Sequence, residues 1–199
     1  MRPRQFTDEE LIEVARRCFL AEGPGVSTAK IAGELGVSAA ALFRRVGSKS
    51  ELMRRALGMP TCPQWVLDLE AGPDEGPVRA QLLTLATRVD EFFRRRLPAL
   101  AVYRAAGIHP SDIYADMKDP PPIRAVRAVT GWLQALIAQG RAADVDAEAI
   151  AVAFLGALQS RHFLQQMCGA DYPSGGEHYL EVVADTFAAA VALPENGQC

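Results

Sequence analysis

Residues 27–49 (Ser-Thr-Ala-Lys-Ile-Ala-Gly-Glu-Leu-Gly-Val-Ser-Ala-Ala-Ala-Leu-Phe-Arg-Arg-Val-Gly-Ser-Lys) have the types and spacing needed to read DNA. Thr28 has a hydroxyl able to cap a helix N-terminus. Ile31, Ala32 and Leu35 then fall on one face. Gly36 ends that helix, since glycine takes a positive φ without a Cβ penalty. Val37 plugs the corner, and Ser38 caps a second helix. On this second helix Leu42, Phe43 and Val46 continue the apolar face, leaving Ser38, Ala39, Ala40, Ala41, Arg44 and Arg45 outward. Small residues at the start of such a helix allow close approach to a major groove, and alanine methyls match a thymine methyl. Arg44 and Arg45 suit guanine edges or phosphates, and the spacing leaves that choice open. Gly47-Ser48-Lys49 opens a further helix, from Ser50 to about Leu57, whose N-terminus suits a phosphate. The candidate DNA contacts are Thr28, Lys30, Ser38, Ala39, Ala40, Phe43, Arg44, Arg45 and Lys49.

The elements that must position these residues begin upstream. Thr7-Asp8-Glu9-Glu10 has the form of a capping box. Leu11, Val14, Ala15, Cys18 and Phe19 form the apolar stripe of the helix it opens, which ends at Gly23. Residues 7–57 thereby resemble the N-terminal DNA-binding domain of the TetR family of bacterial transcriptional regulators. The resemblance rests on Ala21-Glu22-Gly23, Ser27-Thr28-x-x-Ile31-Ala32, Leu35-Gly36-Val37-Ser38, Leu42-Phe43 and Gly47-Ser48-Lys49-x-x-Leu52. The family commonly carries Leu-Tyr-x-Tyr-Phe where this chain has Leu42-Phe43-Arg44-Arg45-Val46. The hydroxyls that often hold phosphates are absent, Arg45 is a candidate to replace that contact, and Phe43 is open to either a core or a DNA-facing role. The resemblance implies an all-α protein: a three-helix helix-turn-helix head (residues 1–58) and a helical ligand-binding and dimerisation body (59–199). It also implies a four-helix dimer interface made by the last two helices of each subunit.

Composition agrees with that division. Nearly half of the 199 residues are apolar, no stretch alternates with period two, and the chain is expected to be helical. The net charge is −3, but residues 1–58 carry ten basic against seven acidic side chains, and the remainder eleven against seventeen. A modestly basic head on an acidic body fits a DNA reader with a regulatory body. Cysteines 18, 62, 168 and 199 form no CxxC pair and indicate a reducing compartment. Met1-Arg2-Pro3-Arg4 is basic but leads into an acidic cap, so no secretory signal is expected. Arg2 and Arg4 fit either an unstructured start or an arm touching a phosphate or the minor groove. The longest apolar run, residues 149–158, is half of the about 20 residues a membrane helix needs. A cytoplasmic protein without membrane association follows.

In the body, prolines and glycines between residues 58 and 77 mark a linker, with a short helix at 64–70. A long helix is expected over 78–97, with Leu82, Leu85, Ala86, Val89 and Phe93 inward, stopped by Pro98, and a shorter one over 99–106. Further helices are expected at 112–118, 123–139, 147–167 and 177–193. Arg94-Arg95-Arg96 would complement the dipole of a helix ending there. Small residues on the last two helices (Ala149, Ala153, Gly156, Ala157 and Ser160; Ala184, Ala188 and Ala192) permit close packing beyond the monomer. Candidate effector liners are Phe92, Phe93, Tyr103, Met117, Trp132, Phe154, Arg161, His162 and Phe163, each with plain core packing as its alternative. Arg161 and His162 could orient a carboxylate or carbonyl, cross a dimer interface or reach solvent.

Catalytic and metal chemistry find little support. His109, His162 and His178 lack ligand spacing, and Asp144-x-Asp146-x-Glu148 lacks most of a calcium loop. No nucleophile elbow, phosphate loop or dinucleotide fingerprint occurs. No cofactor is expected. The reading is of a dimer binding a pseudo-palindromic double-stranded operator, with heads about 34–36 Å apart. A small, largely apolar effector releases it through differential affinity for two head separations. The alternatives are an activator of the same fold and, with less support, a helical binding protein or enzyme.

Overall fold

The computed structural model describes residues 6–58, 62–115, 117–169 and 176–194. Arg2, Arg4 and Cys199 lie outside them. Among the described residues the regular structure is helical: α1 (Asp8–Glu22), α2 (Thr28–Leu35), α3 (Ala39–Val46), α4 (Lys49–Leu57), α5 (Gln64–Glu70), α6 (Val78–Ala105), α7 (Pro110–Tyr114), α8 (Pro121–Ala138), α9 (Ala147–Cys168) and α10 (Gly176–Ala190). The chain forms two compact units, residues 1–60 with 98–116, and residues 61–97 with 117–199. The first therefore takes a segment that the sequence assigns to the body.

In the first unit, local chemistry sets every helix start. Thr7 and Glu10 close a reciprocal capping box on α1. Ser27, Ser38 and Ser48 accept from the backbone N–H three residues on, at 3.1, 3.2 and 3.1 Å, and so open α2, α3 and α4. The cap of α2 is thus Ser27, not the expected Thr28, which is the first helical residue. Gly36 holds φ 70° and ψ 31°, the left-handed turn between α2 and α3. Leu11, Phe19, Ile31, Leu42, Leu52 and Leu57 are fully buried, and Ala99, Val102 and Tyr103 from the end of α6 join the same core.

Pro98 does not stop α6, which runs through it to Ala105. A helix-interior proline costs about 3 kcal/mol through its lost N–H and ring clash. Pro98 itself is exposed, whereas Leu97, Ala99, Val102 and Tyr103 are buried. Burying side chains such as Val102 and Tyr103, at roughly 1.5–3 kcal/mol apiece, offsets that cost. Arg94, Arg95 and Arg96 consequently meet no helix end, and the dipole reading is corrected: Arg94 and Arg95 both pair with Glu91 along the helix.

The second unit packs α5, α6 as far as Leu97, α8, α9 and α10 around Val66, Leu85, Val89, Trp132, Leu136, Phe154 and Leu158. Phe154 meets Phe187 edge-on at 5.2 Å. Asp146 caps α9 through Ala149 N–H at 3.0 Å, which accounts for the acidic cluster at 144–148. Among the described residues no cluster of three or more His, Cys, Asp or Glu could hold a metal ion, and no helix is long and apolar enough to cross a membrane.

Candidate nucleic-acid interface and effector site

The outward surface of α3 is built by Ser38 and by burial of Leu42 and Val46, which fix the helix's rotation against the core. Ala40, Phe43, Arg44 and Arg45 are exposed, and Ala39 and Ala41 are half-buried. Phe43 is 39 % exposed, so its expected place on the apolar face is corrected. It stands one position from Leu42, about 100° around the helix. Ser38 is exposed at the start of α3, and Lys49 is half-buried in the first turn of α4. Among the described residues Arg44 and Lys49 make no ion pair, leaving their donors available to an anion.

The other basic candidates are engaged. Lys30 Nζ lies 2.5 Å from Glu22 Oε1, binding α2 to the end of α1. Thr28 is half-buried beside its cap. Arg45 Nε donates to Asp8 Oδ1 at 2.6 Å, and its guanidinium lies 5.2 Å from the Phe6 ring centre. Arg55 donates to the other Asp8 oxygen at 3.2 Å. The hydrogen bond from Arg45, with the positive charge of both arginines, holds the Asp8 carboxyl below its ordinary pKa. Arg17 pairs with Glu34 across α1 and α2, which likewise lowers the Glu34 carboxyl. Phe6, Asp8 and Arg55 escape a reading of the sequence, because partners 37 and 47 positions apart leave no local signal.

The expected effector liners divide: Phe92, Phe93, Trp132 and Phe154 belong to the core of the second unit and Tyr103 to that of the first. Tyr103 belongs to the first unit, where its hydroxyl reaches the Arg54 carbonyl at 3.5 Å; its assignment to the body is corrected by the continuation of α6 into that core. Phe92 and Phe93 stack edge-to-face with each other, and Phe92 does so with Trp65. Phe154 is core at 1 % exposure, Met117 is half-buried, and Phe163 is 47 % exposed. Trp132 alone of the set lines a body cleft of about 400 Å³, together with Trp65, Leu69, Leu85, Asp68 and Arg88. Gln81 fixes one wall of that cleft: its amide donates to the Asp74 and Gly76 carbonyls at 3.0 and 2.7 Å and accepts from Asp74 N–H at 3.1 Å. Arg141 donates to the same two carbonyls.

Arg161 and His162 turn inward onto α6. His162 Nε2 lies 2.7 Å from Asp90 Oδ1, while an Arg161 terminal nitrogen donates to Asp90 Oδ2 at 3.3 Å and another to the Gly176 carbonyl at 3.1 Å. Arg161 Nε, 3.0 Å from Asp90 Oδ1, is too poorly aligned to count as a hydrogen bond. The Tyr179 ring lies 5.2 Å from the guanidinium. Asp90 and His162 are buried, so the two are held in an internal cluster with Arg161. Asp90 was legible in principle: it stands among Ala86, Val89 and Phe93 on an inward stripe, where a carboxylate requires a partner.

An exposed stripe runs along α9 through Val152, Ala153, Gly156, Ser160, Phe163 and Met167, with Val182 exposed on α10. Val152, Met167 and Val182 are 53, 69 and 45 % exposed.

Residues 11–56 match the bacterial regulatory proteins of the tetR family, and residues 80–192 match the C-terminal domain described as that of an AefR-like transcriptional repressor. No curated protein matches the chain. Among solved structures it is similar to a transcriptional regulator from Saccharomonospora viridis in complex with choline, with TM-score 0.69, 20 % identity, and coverage of 93 % of this chain and 97 % of that one. A TetR-family regulator from Mesorhizobium loti gives TM-score 0.68 at 16 % identity, covering 94 % and 96 %. A protein whose structure concerns control of antibiotic production by a bacterial hormone gives 0.62 at 16 %, covering 93 % and 97 %. These likenesses carry the fold.

Proposed function

Because the chain belongs to the TetR family of bacterial transcriptional regulators, DNA-binding proteins rather than enzymes, we propose that it is a cytoplasmic homodimeric repressor released from a pseudo-palindromic operator by a small, largely apolar effector. The observation that carries the reading is α3, which a serine cap opens and a buried Leu42–Val46 face orients, with Ala40, Phe43, Arg44 and Arg45 outward. One such helix spans only a few base pairs, so specific binding calls for two heads on adjacent major grooves. The α9 stripe of Val152, Phe163 and Met167, with Val182 of α10, supports a second copy as the partner. DNA contacts are assigned to Thr28, Lys30, Ser38, Ala39, Ala40, Phe43, Arg44, Arg45 and Lys49.

The effector site is assigned to the cleft walled by Trp65 and Trp132, whose indole faces suit an apolar or cationic body. The choline bound by the similar regulator from Saccharomonospora viridis is an example of such a small molecule. Sedimentation of the protein with a labelled operator duplex tests the assembly, and two chains per duplex are expected. Binding by a monomer contradicts it. Screening small molecules by thermal shift, then testing hits for operator release with wild type and Trp132→Ala, tests the effector arm. Release that the Trp132 variant retains unchanged contradicts the assignment of the cleft.

A further inference from the structure

Asp8 is an acidic side chain beside the basic recognition helix, where its charge alone opposes DNA. Its carboxylate joins three elements: it sits in the first turn of α1, takes Nε of Arg45 from the last turn of α3 at 2.6 Å, and takes a terminal nitrogen of Arg55 from α4 at 3.2 Å. Phe6 covers the Arg45 guanidinium at 5.2 Å. We infer that Asp8, itself anchored by Arg55, is a positioning residue that holds Arg45 ready for a DNA backbone phosphate.

The donor geometry supports positioning over competition. Arginine presents five N–H groups in a planar fork, and the contact to Asp8 takes the one on Nε. The two terminal nitrogens of Arg45 remain for a phosphate, which prefers a bidentate fork. One carboxylate and two guanidiniums leave a formal charge of +1, so the cluster stays attractive to an anion with Asp8 in place. A free arginine carries side-chain rotamer freedom that binding must restrict. Arg45, fixed on one edge by Asp8 and on one face by Phe6, has given up part of that freedom before DNA arrives. The inference rests on the assignment of Arg45 as a phosphate contact, and the experiment separates the two.

Binding of a mixed-sequence duplex of about 30 base pairs, followed by fluorescence anisotropy across a salt series, gives opposite signs for the two roles. If Asp8 positions Arg45, Asp8→Asn weakens binding about three- to fivefold although it removes a negative charge, and Asp8→Glu restores most of the loss. In an Arg45→Gln background the same Asp8→Asn change no longer weakens binding and instead raises it slightly. Asp8→Asn binding as tightly as wild type, or tighter, overturns the inference and makes Asp8 a competitor of phosphate. Arg45→Gln binding with wild-type affinity and salt slope removes the underlying assignment of Arg45 instead. Melting of each variant is measured alongside, and Asp8→Ser, which keeps an acceptor in the first turn of α1, serves if the asparagine variant unfolds. The Arg45 Nε–H resonance gives a readout that helix stability does not move: slow exchange in wild type that is lost in Asp8→Asn supports positioning, and exchange equally fast in both overturns it.

Discussion

The two units hold their polar chemistry in opposite ways. In the first, charged and small side chains stand on the surface, and their backbone is aimed by three serine caps and a left-handed glycine. In the second, the buried polar groups, Asp90 and His162, are turned inward with Arg161 onto one another. A surface that meets a charged polymer needs donors left available, whereas a helical bundle needs its buried charges satisfied. The same residue types therefore stand outward as Arg44 on one unit and turn inward as Arg161 on the other.

Substitutions that exchange those circumstances break the comparison most sharply. Asp90→Ala removes the carboxylate that two basic side chains share and leaves Arg161 without its counter-ion. Breaking such a pair costs about 3 kcal/mol, taken at the low end because Arg161 keeps some solvent access. Urea unfolding checks this, and a loss under about 1 kcal/mol would show the cluster to be dispensable. In the first unit Gly36→Val places a β-branched residue at φ 70°. A cost of about 2 kcal/mol is expected, with loss of DNA binding, and an unchanged melting curve would refute the role of the turn.

Charge removal at the surface should spare folding and strike binding. Arg44→Ala and Lys49→Ala are expected to leave melting within about 0.5 kcal/mol of wild type. Each should lower the salt slope of DNA binding by about one and weaken affinity several-fold. If either variant keeps both the affinity and the slope of wild type, that side chain does not touch DNA.

Acid should produce the smallest effect. Arg124 holds the Glu70 carboxyl below its ordinary 4.5 through two hydrogen bonds of 2.8 Å between α8 and α5. A carboxyl with a depressed folded-state pKa contributes stability above its unfolded pKa and loses it as pH falls through the folded one. Wild type should therefore melt slightly above Glu70→Gln at neutral pH, and the two should converge as pH drops below 4.5. A gap that persists in acid would assign the difference to packing.

The contrast also explains what the sequence reveals. Helix starts in the first unit depend on residues three apart, so Thr7–Glu10, Ser38–Ala41 and Ser48–Glu51 are readable from order alone. The choice of Ser27 over Thr28 differs by one position between two equally good capping residues. Pro98 misleads because its local cost is plain while the compensating burial of Val102 and Tyr103 is tertiary. The effector liners show the same limit. Aromatic type predicts burial, but whether a ring meets a cleft, as Trp132 does, or another ring, as Phe154 does, depends on neighbours far along the chain. Arg45 was legible as a basic surface residue, and its bond to Asp8 was not.

Selection of bound fragments from randomised and genomic DNA by the purified protein, read by sequencing, tests the central claim most directly. An enriched inverted repeat is predicted, with half-site centres separated by about one helical turn or a multiple of it. Arg44→Ala should relax or shift it. The absence of any enriched repeat at low and moderate salt would contradict a dimeric reader built on α3.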